Sequence, residues 1–231
     1  IGIGYTNRGT FHREGATPGV TTKLNPGDVT SVTGSVGYRG ERLSLKGSVA
    51  LSLESVTTLD GQEFYQAGGR ISFTGAAGYA WDQNWSSRIQ ATWTHSEKNK
   101  VLLADATSIV VEAFNSNSDV TRIVVDTTYA KDGFSIGPTG GYVYRNRNGY
   151  NAETYQFLPA KTSWSAGLAL AYAISDAIRL SLRGERIWVR EGGSPDKYLI
   201  VGGAPFLVAN SAVPVAITDA WSFTVAGTFR F

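Results

Sequence analysis

Apolar and polar residues alternate with a period of two through most of the chain. From Leu43 to Glu54, leucine and valine occupy odd positions, whereas serine, lysine and glutamate occupy even positions. Such alternation is typical of β-strands that have one apolar face and one polar face. The pattern therefore predicts an all-β fold.

The alternation predicts ten strands, the first from Ile1 to Arg13 and the last ending at Phe231. The predicted short turns are 40–41, 82–84, 131–133 and 175–177, and the predicted long loops are 14–27, 57–68, 98–118, 148–160 and 191–218. Short turns thus alternate strictly with long loops. Because short turns join neighbouring antiparallel strands, this order predicts an up-and-down antiparallel β-barrel.

The last long loop is the main architectural question. It contains the apolar sequence YLIVGGAPFLVANSAVPVAI, interrupted by Gly202, Gly203, Pro205 and Pro214. Three arrangements fit this composition: a segment folded over the barrel mouth, a plug inside the lumen, or an extra hairpin. The extra hairpin would raise the strand number to twelve.

The C-terminal sequence WSFTVAGTFRF places Trp221, Phe223, Val225, Phe229 and Phe231 on one side of a strand. It resembles the C-terminal strand of bacterial outer-membrane β-barrels, which commonly end on an aromatic residue. The resemblance implies a transmembrane barrel of the small porin-like or adhesin-like kind, with short periplasmic turns, long extracellular loops and a location in the bacterial outer membrane. Strands of about 13 residues at about 3.3 Å per residue, tilted by about 40°, would rise about 33 Å and cross a membrane.

A soluble lipocalin-like barrel has the same period, but its faces are inverted. Three features favour contact of the apolar face with lipid over its burial in the core of a soluble barrel. Aromatic residues bracket the apolar face near the strand ends, as in Trp85 with Trp93 and Trp164 with Tyr172. The polar face is mostly Ser, Thr, Gly and Ala with scattered Arg, and loop lengths are segregated by side.

Composition narrows the class of protein. The length of 231 residues fits one domain, residues 1–231, because no Pro-rich or charge-rich linker divides it. Charged residues make up 17% and the mean hydropathy is slightly negative, which excludes several apolar helical spans. The chain has no Cys, and therefore no disulfide or thiolate metal site. With no Met and no signal peptide before Ile1, we expect a mature or trimmed product.

Eleven cations and three carboxylates are predicted on the polar face. The predicted pore-lining residues are Arg8, Arg39, Lys46, Glu54, Arg70, Arg88, Arg122, Asp126, Arg145, Arg147, Arg179, Arg183, Glu185 and Arg230. A narrow water-filled path lined by guanidinium groups would attract anions, because few carboxylates cancel the field. The favoured prediction is a pore for passive diffusion of small, preferably anionic solutes. Equally, these arginines and carboxylates predict a hydrogen-bonded plug that closes the barrel.

The sequence predicts no enzyme, no cofactor and no metal site. A ten-stranded barrel resembles the omptins, which are outer-membrane proteases whose active site includes an Asp-His dipeptide. This chain has no Asp-His dipeptide. His12 lies between Phe11 and Arg13, and His95 lies in THSE, so no omptin role transfers to either. A GxSxG motif is also absent.

The expected partners are outer-membrane lipid, lipopolysaccharide and small solutes. The net charge of +2 gives no reason to expect nucleic acid. The competing function is a closed barrel that displays its loops for adhesion, or that anchors an extracellular or periplasmic protein, as the opacity-type ten-stranded adhesins do. Aromatic residues among polar residues in the loops suit sugars or protein partners.

Overall fold

The computed structural model describes residues 1–14, 21–103, 106–175, 177–201 and 204–229. In these ranges the protein is all-β, with antiparallel sheets and no helix. Accordingly, the described residues contain no helix of the length and apolarity needed to span a membrane.

The described ranges contain eighteen strands. In chain order they are β1 (Gly2–Thr6), β2 (Phe11–Glu14), β3 (Thr21–Asn25), β4 (Val29–Arg39), β5 (Leu43–Glu54), β6 (Thr57–Leu59), β7 (Gln62–Gln66), β8 (Arg70–Ala80), β9 (Trp85–Ser96), β10 (Lys100–Val101), β11 (Val110–Val111), β12 (Val120–Lys131), β13 (Phe134–Arg145), β14 (Lys161–Ala173), β15 (Ile178–Glu191), β16 (Lys197–Val201), β17 (Ala204–Val208) and β18 (Ala216–Phe229).

Ten of these strands form the main sheet, in the order β1-β4-β5-β8-β9-β12-β13-β14-β15-β18. Each strand pairs with the next main-sheet strand along the chain, as the predicted up-and-down antiparallel order requires, and ten of the eighteen described strands belong to this sheet. Within the described ranges, β1 and β18 form no ladder with each other, so the sheet has two edges and no closed barrel is found.

The predicted short turns at 40–41, 82–84 and 131–133 are confirmed, and they lie at one end of the main sheet, here called the turn end. The fourth predicted turn, at 175–177, falls between the paired strands β14 and β15, and its residue 176 lies outside the described residues. Between β12 and β13 only Asp132 and Gly133 intervene, with φ angles of 50° and 78°. Positive φ at both central residues matches the twist of the hairpin strands. Between β8 and β9, the Asp82 carboxylate accepts hydrogen bonds from the backbone N–H groups of Asn84 and Trp85, which lowers the pKa of Asp82.

The predicted first strand from Ile1 to Arg13 is wrong, because the chain leaves the main sheet after Thr6. The Asn7 side-chain oxygen accepts a hydrogen bond from the Gly9 N–H at 2.9 Å, and Gly9 has a φ of 68°. This local turn ends β1. The following residues form β2, which belongs to another sheet.

The long connections contain strands of their own at the opposite end, here called the loop end. Six short strands form the loop sheet, in the order β11-β10-β7-β6-β3-β2. The last connection forms the predicted extra hairpin, β16 with β17, but this hairpin is a separate sheet and the main sheet keeps ten strands. The hairpin contacts the loop before β14, since the Tyr198 N–H bonds the Glu153 carbonyl at 2.8 Å.

The two faces of the main sheet differ in polarity and in shape. Side chains from β13 and β15 meet above β14 on the polar face, where Arg145 lies 3.0 Å from Glu191 and Arg179 lies 3.1 Å from Ser135. Side chains of strands two apart, about 9.5 Å from each other, thus meet on the polar face. Short polar side chains there are buried while large apolar side chains on the other face are widely exposed, and together these differences indicate that the polar face is the concave side. The apolar face is therefore convex.

Burial follows the same division. Among the described residues no hydrophobic residue is buried, whereas the polar-face residues Ser135 and Thr139 are each only 8% exposed. On the apolar face, Trp164 is 56% exposed and Tyr172 is 55% exposed. The protein thus exposes its large apolar side chains and encloses polar ones.

Aromatic residues on the apolar face form two bands. Near the loop end, the rings of Tyr142 and Trp164 lie 4.4 Å apart, and near the turn end those of Trp85 and Tyr129 lie 5.2 Å apart. Eight residues separate Trp164 from Tyr172 along β14, which corresponds to about 26 Å along the strand. The apolar face is therefore bounded by an aromatic band at each end.

We expect Gly167→Ala to destabilise the protein, since Gly167 allows the Glu185 side chain to lie across β14. A Cβ atom at residue 167 would lie 2.2 Å from the Gly184 carbonyl oxygen and 2.6 Å from Glu185 Cγ. Overpacking of this kind costs about 1–3 kcal/mol. Urea unfolding followed by tryptophan fluorescence in detergent measures the loss. Gly75→Ala is the matched control, because a Cβ there would meet nothing within 4 Å; equal losses for both variants would contradict the packing at Gly167.

Candidate functional site on the polar face

The sheet register places charged residues of several strands in one row on the polar face. Arg88 of β9 lies opposite Asp126 of β12, and Asp126 lies opposite Thr139 of β13. Gly167 of β14 continues the row between Thr139 and Glu185 of β15. Residues directly opposite in antiparallel strands have Cβ atoms about 5 Å apart, so the row brings opposite charges close together.

Arg183 and Glu185 form the centre of this polar network. The Arg183 Nη2 atom donates a hydrogen bond to Glu185 Oε1 at 2.6 Å. The same oxygen lies 3.4 Å from Thr139 Oγ1 and 3.5 Å from Ser165 Oγ, at the long limit for hydrogen bonding. The Glu185 side chain is 16% exposed, whereas that of Arg183 is 41% exposed. The carboxylate is therefore held against the sheet, and the guanidinium group remains accessible.

A cavity of about 300 Å³ adjoins Arg183 on the turn-end side. Its polar-face lining consists of Thr128, Ser135, Ala169, Ala171, Ser181, Arg183 and Thr224. Arg179 donates a hydrogen bond to Ser135 Oγ and lies beyond this cavity. Small side chains such as those of Ala169 and Ala171 leave this space open.

Three further ion pairs lie near the loop end of the polar face, and two of them share Glu191. Arg8 contacts Glu54 at 3.0 Å. Arg145 contacts Glu191 at 3.0 Å and also donates to the Pro159 carbonyl, and Lys161 contacts the second Glu191 oxygen at 3.4 Å. Sequence reasoning missed Lys161 and Glu191, because each lies at a strand end beside a predicted loop.

Cations without an ion pair also lie on the polar face. In the part of the chain that the structure describes, no ion pair is recorded for Arg39, Lys46, Arg70, Arg88 or Arg122, although Arg88 donates to Gln90 at 2.8 Å. Register places all five on the polar face, as predicted. Positive charge therefore exceeds negative charge on this face.

Two guanidinium N–H groups lack a hydrogen-bond acceptor. Within the described ranges, Nε of Arg145 and Nε of Arg183 are buried and have no partner. A buried donor without an acceptor costs free energy, so each site favours an acceptor such as water or an anion.

Two of the predicted pore-lining residues are not part of this network. Arg147 follows the end of β13 and lines a different cavity, together with His95 and Asp119. Arg230 lies outside the described residues, as does the terminal Phe231. Their pore-lining role stays a prediction.

The apolar face carries one ion pair that sequence reasoning missed. Arg186 Nη2 contacts Asp219 Oδ2 at 2.5 Å, and the guanidinium carbon lies 5.4 Å from the Trp188 ring centroid and 5.9 Å from that of Trp221. The sequence does mark Arg186, because this charged residue occupies a position of β15 where the alternation calls for an apolar side chain. The pair lies at the loop-end aromatic band, where Trp rings cover the cation.

His95 and Asp119 form a second contact that the sequence did not reveal, with Nδ1 and Oδ1 at 2.7 Å. His12 lies on β2 in the loop sheet, opposite Lys23. Over the described ranges, no group of three or more potential ligands could hold a metal ion.

No protein-family model matches the chain, and a search of curated proteins found no match. The site must therefore be interpreted from its own geometry.

We predict that Glu185→Gln destabilises the fold, because Arg183 would lose its ionised acceptor. A hydrogen bond between charged groups contributes about 1.5–3 kcal/mol, and we expect a loss of that order in urea unfolding. Glu63→Gln, on the exposed loop-sheet strand β7, is the control that should leave stability unchanged. Similar stability of wild type and Glu185→Gln would show that Arg183 and Glu185 do not organise the polar face.

Proposed function

We propose that the chain is an outer-membrane β-barrel protein, with the apolar face against lipid and the polar face around a narrow path for small anions. The observation that carries the membrane placement is the burial pattern. Large apolar side chains such as Trp164 and Tyr172 are more than half exposed, whereas polar side chains are enclosed on the concave face. A contiguous apolar surface of this kind is unfavourable in water and favourable in hydrocarbon.

Closure between β1 and β18 follows from this placement. An unpaired backbone N–H or C=O in hydrocarbon costs several kcal/mol, so a sheet edge is not tolerated there. The two strands run in opposite directions in the up-and-down order, which suits an antiparallel ladder. We infer that the bilayer closes the sheet, with the turn end in the periplasm and the loop end outside the cell.

The polar face supports selection for anions. Arg39, Lys46, Arg70, Arg88 and Arg122 would face the lumen with no carboxylate partner recorded in the described ranges. The cavity beside Arg183 would supply part of the path. A confined path with low-dielectric walls strengthens the field of these cations, so small anions would enter more readily than cations.

A second candidate function is display of the loops by a closed barrel. The observation that favours it is the order of the loop end, where six strands form the loop sheet and a hairpin is added. The ion pair between Arg183 and Glu185 would also fill part of the lumen. In this alternative the loops bind an extracellular partner, or the barrel anchors another protein, and no solute passes.

Single-channel recording in a planar bilayer separates the two functions. Under a potassium chloride gradient, we expect discrete conductance and a reversal potential that indicates chloride preference. The double variant Lys46→Gln with Arg122→Gln removes two cations without ion pairs and should lower the chloride preference roughly twofold or more. Arg190→Gln is the control, because it removes one cation from the apolar face and should leave the chloride preference unchanged.

Two results would reject the anion path: a silent bilayer with correctly folded protein, or cation preference in the wild type. If the bilayer is silent, replacing the hairpin residues 197–208 by a short glycine linker tests display. Loss of cell adhesion with the main sheet intact would support that function.

A further inference from the structure

A second cavity, of about 540 Å³, lies at the loop end and is separate from the polar network around Arg183. Its lining includes His95, Asn115, Asp119, Tyr144, Asn146 and Arg147. His95 and Tyr144 occupy apolar-face positions of β9 and β13, since they share the alternation of Trp93 and Tyr142. The cavity therefore opens beside the apolar face, just beyond the loop-end aromatic band.

Hydrogen bonds between loops build the cavity wall. The Asn115 amide donates to the Ser96 carbonyl at 2.8 Å, and the Asn146 oxygen accepts from the Asp119 N–H at 2.7 Å. The Asn148 oxygen likewise accepts from the Leu158 N–H at 3.0 Å. Because these side chains bond backbone groups of neighbouring loops, the cavity is formed before a ligand arrives, which lowers the cost of binding.

The imidazole of His95 is fixed in orientation. Its Nδ1 atom contacts Asp119 Oδ1 at 2.7 Å, and its ring is stacked on Trp93 with centroids 5.8 Å apart. This fixed ring leaves Nε2 directed away from Asp119. His95 and Asp119 together offer nitrogen and oxygen atoms that pair well with hydroxyl groups.

Two other groups define the chemistry of a ligand. Within the described ranges, no hydrogen bond or ion pair is recorded for the Arg147 guanidinium or the Tyr144 hydroxyl. Arg147 supplies a planar set of donors that binds phosphate or carboxylate through two hydrogen bonds. Tyr144 supplies an aromatic surface next to polar groups, an arrangement suited to the mixed polarity of a sugar ring.

We propose that this cavity binds a pyranose sugar that carries an anionic group, with the anion on Arg147 and the hydroxyl groups on His95, Asp119 and Asn146. The sugar has two sources, a soluble sugar phosphate or the head group of a glycolipid. The glycolipid source rests on the proposed membrane placement, in which head groups surround the cavity mouth. The proposed contacts of the cavity with the sugar and its anionic group do not depend on the membrane placement.

Imidazole NMR provides a direct test, because the chain has only two histidines. The full chain in detergent is titrated with glucosamine 1-phosphate, glucuronate, glucose or inorganic phosphate. We expect saturable shifts of the His95 signals with glucosamine 1-phosphate and glucuronate, at least tenfold weaker binding of glucose and of phosphate, and unchanged signals from His12, which lies on β2.

Arg147→Gln should weaken binding of glucosamine 1-phosphate at least tenfold while leaving glucose binding unchanged. Arg42→Gln removes the same charge at the turn end and should have no effect. Absence of saturable His95 shifts with both anionic sugars would overturn the proposal, and so would equal binding of glucose and glucosamine 1-phosphate or full affinity in Arg147→Gln.

The source of the sugar is tested in nanodiscs that contain either rough lipopolysaccharide or phosphatidylglycerol. His95 shifts with lipopolysaccharide that glucosamine 1-phosphate reverses would identify the glycolipid; shifts with the soluble sugar alone would identify the soluble source. Either result supports the proposed chemistry. These readouts are independent of conductance, so a silent bilayer with intact sugar binding would reject the anion path alone.

Discussion

The fold depends on the separation of side chains onto two faces of one ten-stranded sheet, with the polar face on the concave side. Convexity spreads the apolar side chains outward, so they cannot pack into a core of their own. Concavity brings the polar side chains together, and the buried Thr139 and Ser135 lie there. The described residues therefore lack the hydrophobic core that is usual in a soluble domain. The proposed contact with lipid would supply the apolar environment that such a core provides.

The same curvature explains the organisation of charge. The Glu185 side chain lies over Gly167, which has no Cβ atom to block it. The Arg145 side chain forms an ion pair with Glu191, two strands away. The ion pair between Arg145 and Glu191 thus joins β13 to β15, two strands apart in the sheet. The ion pairs do not include every cation of the polar face, since Lys46 and Arg122 have no ion pair in the described part of the chain. This excess of positive charge is the basis of the proposed path for anions.

Much of the fold could be predicted from alternation alone. The ten main-sheet strands, the short turns and the polar-face positions of Lys46 and Arg122 follow from a period of two. The break after Thr6 could not be predicted, because it depends on a side-chain hydrogen bond from Asn7 and on the φ of Gly9. Strands as short as β10 owe their pairing to distant partners rather than to local sequence.

The candidate sites were predicted less completely. The alternation of apolar and polar residues placed Arg183 and Glu185 on the polar face. It gave no indication that Asp119 would contact His95 from 24 residues away. Arg147 continues the alternation of β13 and was assigned to the lumen, yet the strand ends at Arg145 and the next residues turn toward His95. Contacts between loops are set by tertiary structure, and no local pattern encodes them.

The most direct test of the membrane placement is the accessibility of single cysteines along β14. The chain has no native Cys, so a spin label at each position from 164 to 172 reports one site at a time. In lipid bilayers, we predict that labels at even positions collide with oxygen dissolved in the lipid and those at odd positions with a water-soluble nickel complex, with a period of two. Even positions that collide with the nickel complex, or labels that show no period, would contradict an apolar face in contact with lipid.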